Sequence, residues 1–305
     1  MKPLHWLIVL LTATLFGSSF LFIKLAVQEI PPLTLAAARV LIAAIAMTAV
    51  LFAVGRRLPA LGRAWLPLLV LGVLTAAIPY VGIAWGQTRI ESSLGGILFA
   101  TIPIFTVMIA PLVTPEQRLH GWRLFGVGIA FAGVIMTLGT QSLTAFLFSA
   151  SGSGGSAHLA GATVTLLAAF SYAIGNIYAR IKSGMDPMVM ASGQLITGSL
   201  ILLPIAFLLD PPVVAIPENT ALFSTLALAL LSTAAPVLMM FWLIRNAGAT
   251  NASVLAFFMP VASVLLGALV LQETLEIHEL AGFTLILLGA LTSTGTLSRL
   301  VARTA

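Results

Sequence analysis

Two charged residues, Lys24 and Arg39, lie within apolar stretches long enough to cross a membrane. A charged group in hydrocarbon is costly unless it faces a cavity, finds a partner or reaches the membrane surface. Both residues are therefore candidates for binding the polar group of a ligand. Two structural alternatives stay open: Lys24 could extend to the outer headgroups near Glu29, and Arg39 could bond exposed carbonyls or cap a neighbouring helix.

Acidic residues are missing from the middle of every long apolar stretch, and the histidines fall at the stretch ends or in loops: His5, His120, His158 and His278. A proton-driven carrier usually has a carboxylate or histidine on its pathway, and an intramembrane metalloprotease needs such ligands at helical spacing. The chain also has no cysteine for disulfides or thiolate metal sites. We therefore expect neither an enzyme nor a bound metal or cofactor.

Four prolines interrupt the apolar stretches at interior positions: Pro79, Pro103, Pro236 and Pro260. Proline removes a backbone hydrogen bond and kinks a helix, which a membrane tolerates where neighbours or water satisfy the freed carbonyl. These positions predict hinges around a binding site near the membrane midplane. The alternative is a set of static kinks that only fit the helices together.

Aromatic and methionine side chains cluster around these prolines in the sequence. Helical spacing places Tyr172 and Asn176 on one face, and Met239 and Trp242 on another. Rings and thioethers with a few amides and hydroxyls suit a flat or apolar ligand that has one polar end. Trp and Tyr near helix ends are also typical of the membrane interface, so each aromatic residue could belong to either.

The composition requires that membrane helices position these residues. Hydrophobic residues make up 60% of the chain and charged residues 8%, whereas about a quarter of residues are charged in soluble proteins. Long continuous apolar runs predict helices and not β-barrel strands. About 20 residues cross a bilayer, and ten such runs lie at 4–27, 33–54, 65–87, 92–114, 122–141, 159–180, 187–209, 219–244, 250–271 and 279–300.

The basic residues predict the orientation of these ten spans. With the N-terminus inside, most Lys and Arg residues fall on the cytoplasmic side, and the acidic residues show the opposite bias. Both termini are therefore predicted to be cytoplasmic. The net charge of +5 follows from these cytoplasmic residues and requires no nucleic acid partner.

The chain reads as two similar halves. Pro79, Trp85, Pro103 and Glu116 each lie 157 positions before a residue of the same type, as 236 − 79 shows for the first pair. Near the start of each half, Pro32 and Arg39 correspond to Pro187 and Gln194. Five spans per half would invert the second copy, as in many secondary transporters. We predict repeats at 1–140 and 159–305, joined by a flexible external linker at 141–158.

The segment Phe16-Gly17-Ser18-Ser19-Phe20, followed by Lys24, Pro32 and Arg39, resembles the W-G-x-x-F…K…P…R pattern of the drug/metabolite transporter superfamily. The second half matches the EamA domain of that superfamily at Asn176, Arg180, Pro187 and Gln194. Phe16 stands where the pattern usually has Trp. Within the superfamily the chain is most similar to the YddG-type exporters of aromatic amino acids.

This resemblance implies a basket of ten helices with a substrate cavity bounded by spans one, three, four, six, eight and nine. Carried onto this sequence, it implies that the cavity is lined by Lys24, Tyr80, Trp85, Phe99, Tyr172, Asn176, Met239, Met240, Trp242 and Phe257. It also implies export as the direction of transport.

We therefore expect a monomeric secondary transporter in the bacterial inner membrane that exports aromatic or other apolar amino acids and related metabolites by alternating access. Because Lys24 is the one plausible titrating group in the spans, facilitated diffusion or exchange is expected in place of proton coupling. The alternatives are another small solute, such as threonine-like amino acids, purines or cationic drugs, and a membrane sensor that transports nothing.

Overall fold

The computed structural model describes residues 3–113, 121–148, 154–181, 184–210, 217–248, 252 and 254–293, without the side chains of 140–148 and 154–155. These residues form helices and no strand. The helices, numbered along the chain, are α1 Pro3–Ala26, α2 Pro32–Ala53, α3 Trp65–Gln87, α4 Ser92–Val113, α5 Trp122–Phe148, α6 Gly154–Ile181, α7 Pro187–Leu209, α8 Asn219–Ala247, α9 Leu255–Val270 and α10 Ile277–Ser293. Glu116 and residues 149–153 of the predicted linker lie outside the described residues, whereas linker residues 141–148 and 154–158 belong to α5 and α6.

In the part of the chain that the structure describes, α1 to α8 are long and apolar enough to cross a membrane, whereas α9 and α10 are shorter apolar helices. At about 1.5 Å per residue, the 16 residues of α9 span about 24 Å, which is less than a typical hydrocarbon core of about 30 Å. Large apolar side chains such as Phe207 remain 88% exposed on the outside of the bundle, as a lipid-facing surface requires.

Local sequence signals set where several helices begin. Pro32 and Pro187 occupy the first position of α2 and α7, where a missing N–H has no effect because no helical partner exists there. The Asp186 carboxylate caps α7 by accepting a hydrogen bond from the Met188 backbone N–H at 2.9 Å.

Helices α3 and α8 each contain a π-helical turn in their middle. The turns comprise Gly72–Ala77 and Leu230–Ala234, and each ends shortly before a proline, Pro79 or Pro236. Single π turns inside α-helices locally alter the backbone hydrogen-bond register and often occur at functional sites. The two turns lie at positions that the predicted repeat relates to each other.

Glycines form the contact between α5 and α10, and the sequence repeat matches Gly126 with Gly282 and Gly133 with Gly289 at a shift of 156 positions, as 282 − 126 shows. A Cβ atom on Gly133 would lie 2.6 Å from the Gly282 carbonyl oxygen, and one on Gly126 would lie 2.8 Å from the Gly289 carbonyl oxygen. Residue numbers increase along α5 while those of the contacting residues on α10 decrease, so the two helices are antiparallel. Their backbones approach this closely because the glycines have no side chain to hold them apart.

The pairs of helices in contact repeat between the two halves. Raising or lowering each helix number by five turns one contacting pair into another. Helix α1 packs on α9 as α6 packs on α4, and α3 packs on α6 as α8 packs on α1. Helices α2 and α7 pack on each other, as do α5 and α10. This pattern is what two structurally related halves would produce.

Candidate functional site

Three aromatic rings from different helices form a chain inside the bundle. Phe20 of α1 packs edge-to-face on Phe99 of α4 with ring centroids 5.9 Å apart, and Phe99 packs in the same way on Tyr172 of α6 at 5.7 Å. Phe20 and Phe99 are buried, whereas Tyr172 is partly accessible. Such edge-to-face pairs stabilise by about 0.5–1.5 kcal/mol each beyond the burial of their area. This row of three rings offers aromatic surface and one phenol hydroxyl, that of Tyr172, inside the bundle.

Arg39 of α2 extends into the same region and is only 5% exposed. Its guanidinium carbon lies 3.8 Å from the centroid of the Tyr80 ring of α3, which is cation–π geometry. Arg39 Nε donates to Thr233 Oγ1 at 2.9 Å, and Nη2 donates weakly to Ser19 Oγ at 3.4 Å. One guanidinium thus joins helices α1, α2, α3 and α8.

Thr233 belongs to the π turn of α8, which a second contact also ties to α1. Pro236 has no N–H to donate to the Ser232 carbonyl oxygen, and this oxygen accepts a hydrogen bond from Ser19 Oγ at 3.3 Å. The Ser18 and Ser232 hydroxyls are also 2.8 Å apart. Hydroxyls of α1 thus satisfy polar groups at the proline-interrupted turn, as expected for a kink inside a membrane.

The other half contains a neutral counterpart of the Arg39 contact. Thr75, in the π turn of α3, donates to Gln194 Oε1 of α7 at 3.1 Å, and the Ser171 hydroxyl donates to the Leu74 carbonyl oxygen at 3.0 Å. The sequence repeat aligns Gln194 with Arg39. Each half therefore bonds its second helix to the π turn of the opposite half, but only one of the two contacts carries a charge.

Lys24 lies away from this cluster, at the loop end of α1. Its Nζ donates to the backbone carbonyl oxygens of Ile90 at 2.6 Å and Gln87 at 3.1 Å. Carbonyls at the C-terminus of a helix lack intrahelical partners and carry partial negative charge. Lys24 therefore caps α3.

Carboxylates join neighbouring elements at this same end of the bundle. Glu273 accepts from the backbone N–H groups of Ser92 and Ser93 at 2.7 and 2.9 Å and so caps α4. Asp210 accepts from the Thr34 backbone N–H at 2.6 Å, and Glu29 accepts from that of Glu218 at 2.6 Å. Charge-assisted bonds of this kind are roughly twice as strong as neutral ones.

The opposite end of the bundle is more open. A cavity of about 450 Å³ lies there between the start of α3, the end of α6 and the start of α7. The repeat relates its partly exposed lining residues Met185 and Met190 to Ile30 and Leu35, which are at most 6% exposed. The two ends therefore differ in packing at repeat-related positions.

The other residues predicted to line the cavity are distributed more widely. Trp85 stacks under the exposed Arg89 guanidinium at 3.5 Å. Trp242 is 37% exposed and lies edge-on to His5. Met240 and Phe257 pack against separate hydrophobic clusters, and Asn176 and Met239 are partly buried. The structure thus brings together Tyr80, Phe99 and Tyr172 from the predicted set.

The predicted hinge prolines all lie within helices or at breaks. Pro79 and Pro236 directly follow the π turns, and Pro260 is inside α9. Pro103 follows a break in α4 at residues 100–101. Three of the four are buried, Pro103 being the exception.

Sequence reasoning missed Phe20, Ser19 and Thr233 as members of the site and left Arg39 outside its predicted lining. One signal was present: Ser19 and Phe20 belong to the same motif segment that precedes Arg39. Thr233 had no comparable signal, because its role depends on a contact across 194 positions of sequence.

Comparison with known proteins covers nearly the whole chain. The chain is 25% identical to the Uncharacterized transporter YoaV of Bacillus subtilis over 93% of this chain and 94% of that protein. It is 28% identical to the Uncharacterized inner membrane transporter YedA of Escherichia coli K12 over 86% and 81%. It is 27% identical to a protein of Salmonella typhimurium named Probable amino-acid metabolite efflux pump, over 92% of each.

A solved crystal structure shares the fold of the chain, with a TM-score of 0.67 over 98% of this chain and 99% of the other at 17% identity. The sequence model of the EamA-like transporter family matches twice, at residues 4–139 and 159–295. These two matches include every residue of the aromatic cluster and the Arg39 contacts. The chain belongs to the EamA-like transporter family, within the drug/metabolite transporter superfamily.

Proposed function

We propose that this chain is a secondary transporter that exports aromatic or other apolar amino acids and related metabolites across the bacterial inner membrane by alternating access. The observation that carries the proposal is the group of Phe20, Phe99, Tyr172 and Tyr80 rings in the same region of the bundle as the Arg39 guanidinium. Rings and a fixed polar group at the middle of a helical bundle suit a solute with an apolar body and one polar end. Two relatives named as probable amino-acid metabolite efflux pumps support the substrate class and the direction.

The proposed architecture is ten membrane spans in two inverted repeats, 1–140 and 159–305, joined by the external linker 141–158, with both termini in the cytoplasm. The paired π turns, the exchangeable helix contacts and the two family-model matches support it. Helices α9 and α10 would cross a locally thinner bilayer.

In the proposed site, Tyr80, Phe99 and Tyr172 contact the solute. Lys24 and Trp85 lie nearer the outer end of the pathway, and Asn176, Met239, Met240, Trp242 and Phe257 form its less enclosed walls. The prolines Pro79, Pro103, Pro236 and Pro260 act as hinges. With the predicted orientation, we propose that the bonds of Glu29, Asp210 and Glu273 close the outer end in a state that is open toward the cytoplasm.

Flux through proteoliposomes tests this function. We expect labelled phenylalanine to cross saturably, and tryptophan and tyrosine to compete better than threonine or adenine. Competition by adenine alone would assign the site to another solute, and no flux of any of them would favour a sensor.

The same vesicles test the energy source. Every acidic residue that the structure describes lies at a helix end or in a loop, so we expect facilitated diffusion or exchange. Net accumulation of phenylalanine above equilibrium under an imposed pH gradient would contradict this expectation.

A further inference from the structure

The guanidinium of Arg39 is a buried cation with no carboxylate partner among the described residues. The ion pairs in that part of the chain join Arg56 to Asp186 and two histidines to glutamates near helix ends. The groups around Arg39 are hydroxyls and rings, namely Ser19, Thr233, Tyr80 and, within electrostatic range, Tyr172. An uncompensated buried charge is strongly unfavourable, so binding of an anion beside Arg39 would be favourable.

The hydrogen bonds of Arg39 leave one edge of the guanidinium available. The Nε and Nη2 atoms donate to Thr233 and Ser19 along the side edge. Among the described residues, the hydrogen bonds of the guanidinium are those of Nε and Nη2, and Nη1 donates none. The end edge formed by Nη1 and Nη2 is the fork that a carboxylate accepts with two parallel hydrogen bonds.

This edge lies deep within the bundle. Thr233 is equidistant from Asn219 and Ala247, the two ends of α8, so the Arg39 guanidinium bonded to it is near the middle of that helix. Tyr172, which lies within electrostatic range of the guanidinium, is also the last of the three stacked rings Phe20, Phe99 and Tyr172. An anion on Arg39 would therefore have its apolar remainder beside these rings.

We infer that Arg39 binds the carboxylate of the transported solute, while Tyr80, Tyr172 and Phe99 contact the aromatic or apolar part. The ligand class is an aromatic or apolar carboxylate, and this choice rests on the proposed function. Gln194 at the matching place in the other half carries no charge, so the site has one carboxylate anchor. Arg39 also donates to Thr233 in the π turn of α8, so Arg39 would link the bound carboxylate to the proposed hinge.

Thermal unfolding of the purified full chain in detergent tests this site without requiring transport. The probes are 3-phenylpropionate and its neutral amide, 3-phenylpropanamide, because a ligand that binds the folded state raises the melting temperature. We expect the wild-type chain to be stabilised by the carboxylate at concentrations at least tenfold lower than by the amide. In Arg39→Gln, which copies the neutral residue of the other half, this preference should disappear.

Arg245→Gln is the matched control, because Arg245 is an exposed arginine at the far end of α8, and it should keep the preference. Arg39→Lys should retain part of it, since the charge stays but the fork is lost. If Arg39→Gln does not fold, the comparison of the two probes in the wild-type chain and in Thr233→Val replaces it, and Thr233→Val should weaken the preference.

Equal stabilisation of the wild-type chain by both probes, or an unchanged preference in Arg39→Gln, would overturn the inference. Phenylalanine flux separates this result from the proposed function. Phenylalanine flux without a preference for the carboxylate probe would support the proposed function and reject carboxylate binding by Arg39. A preference that depends on Arg39, without phenylalanine flux, would support carboxylate binding by Arg39 and reject phenylalanine as a substrate.

Discussion

At the scale of single residues, Lys24 and Arg39 begin as similar candidates and acquire different roles in the fold. The ammonium of Lys24 is a compact charge with several donors, and it binds two carbonyl oxygens at the end of α3. The guanidinium of Arg39 is planar, so it stacks on Tyr80 while its edge donates to Thr233 and Ser19. The difference follows from the shape of the two cations more than from their charge.

The predicted cavity residues also have different surroundings in the fold. Substitution of Phe99 and of Trp242 should show which of these two rings matters more for solute binding. Phe99→Ala removes the middle ring of the aromatic series and with it a proposed ring contact to the solute, which is worth about 0.5–1.5 kcal/mol. We expect the KM for phenylalanine flux in proteoliposomes to rise about tenfold. Trp242→Ala, at a partly exposed ring of the less enclosed wall beside His5, should raise KM less than Phe99→Ala does. Equal effects of the two substitutions would argue against the aromatic chain as the binding surface.

At the scale of helices, small residues and prolines determine how the elements meet. The π turns of α3 and α8 present Thr75 and Thr233 to the second helix of the opposite half. The antiparallel pair α5 and α10 contains no such polar link at its glycine crossing and depends on close backbone contact. Polar contacts therefore concentrate at the proposed hinges, and apolar packing holds the outer pair.

The glycine crossing gives a stability test with a control on the same helix. In Gly133→Ala the new methyl group would lie 2.6 Å from the Gly282 carbonyl oxygen, so backbone must move. We expect a loss of about 1–3 kcal/mol of stability, measured as a lower melting temperature in detergent. In Gly128→Ala no atom lies within 4 Å of the new group, so stability should be unchanged or slightly higher because alanine favours helix. Equal melting temperatures for the two variants would contradict this interface.

At the scale of the whole molecule, the two ends of the bundle are unequal although the halves are similar. Carboxylates cap helices and join loops at one end, and a cavity opens at the other. A transporter with related halves can exchange these two arrangements by repacking one half against the other. Unequal ends of this kind are what the proposed alternating access requires of either of its two states.

The short helix α9 makes the ten-span topology testable. The chain has no cysteine, so a single introduced cysteine reports directly on which side of the membrane its residue lies. If α9 spans the membrane, Thr274→Cys in the loop before α10 lies outside, and an impermeant thiol reagent should label it in intact cells. Arg57→Cys, in the loop after α2, should react only after the cells are opened. Protection of residue 274 in intact cells would show that α9 does not cross.

The sequence alone determines the membrane class, the first eight long helices and the places where prolines interrupt them, because apolar length and a missing N–H act locally. It also predicts the match between the two halves, from Pro79 with Pro236 to Gly133 with Gly289. Only the tertiary structure decides which polar and aromatic side chains meet. Arg39 and Thr233 are separated by 194 positions and Lys24 and Ile90 by 66, and no local pattern specifies such pairs. Their contacts depend on how the helices pack, which is a property of the whole bundle.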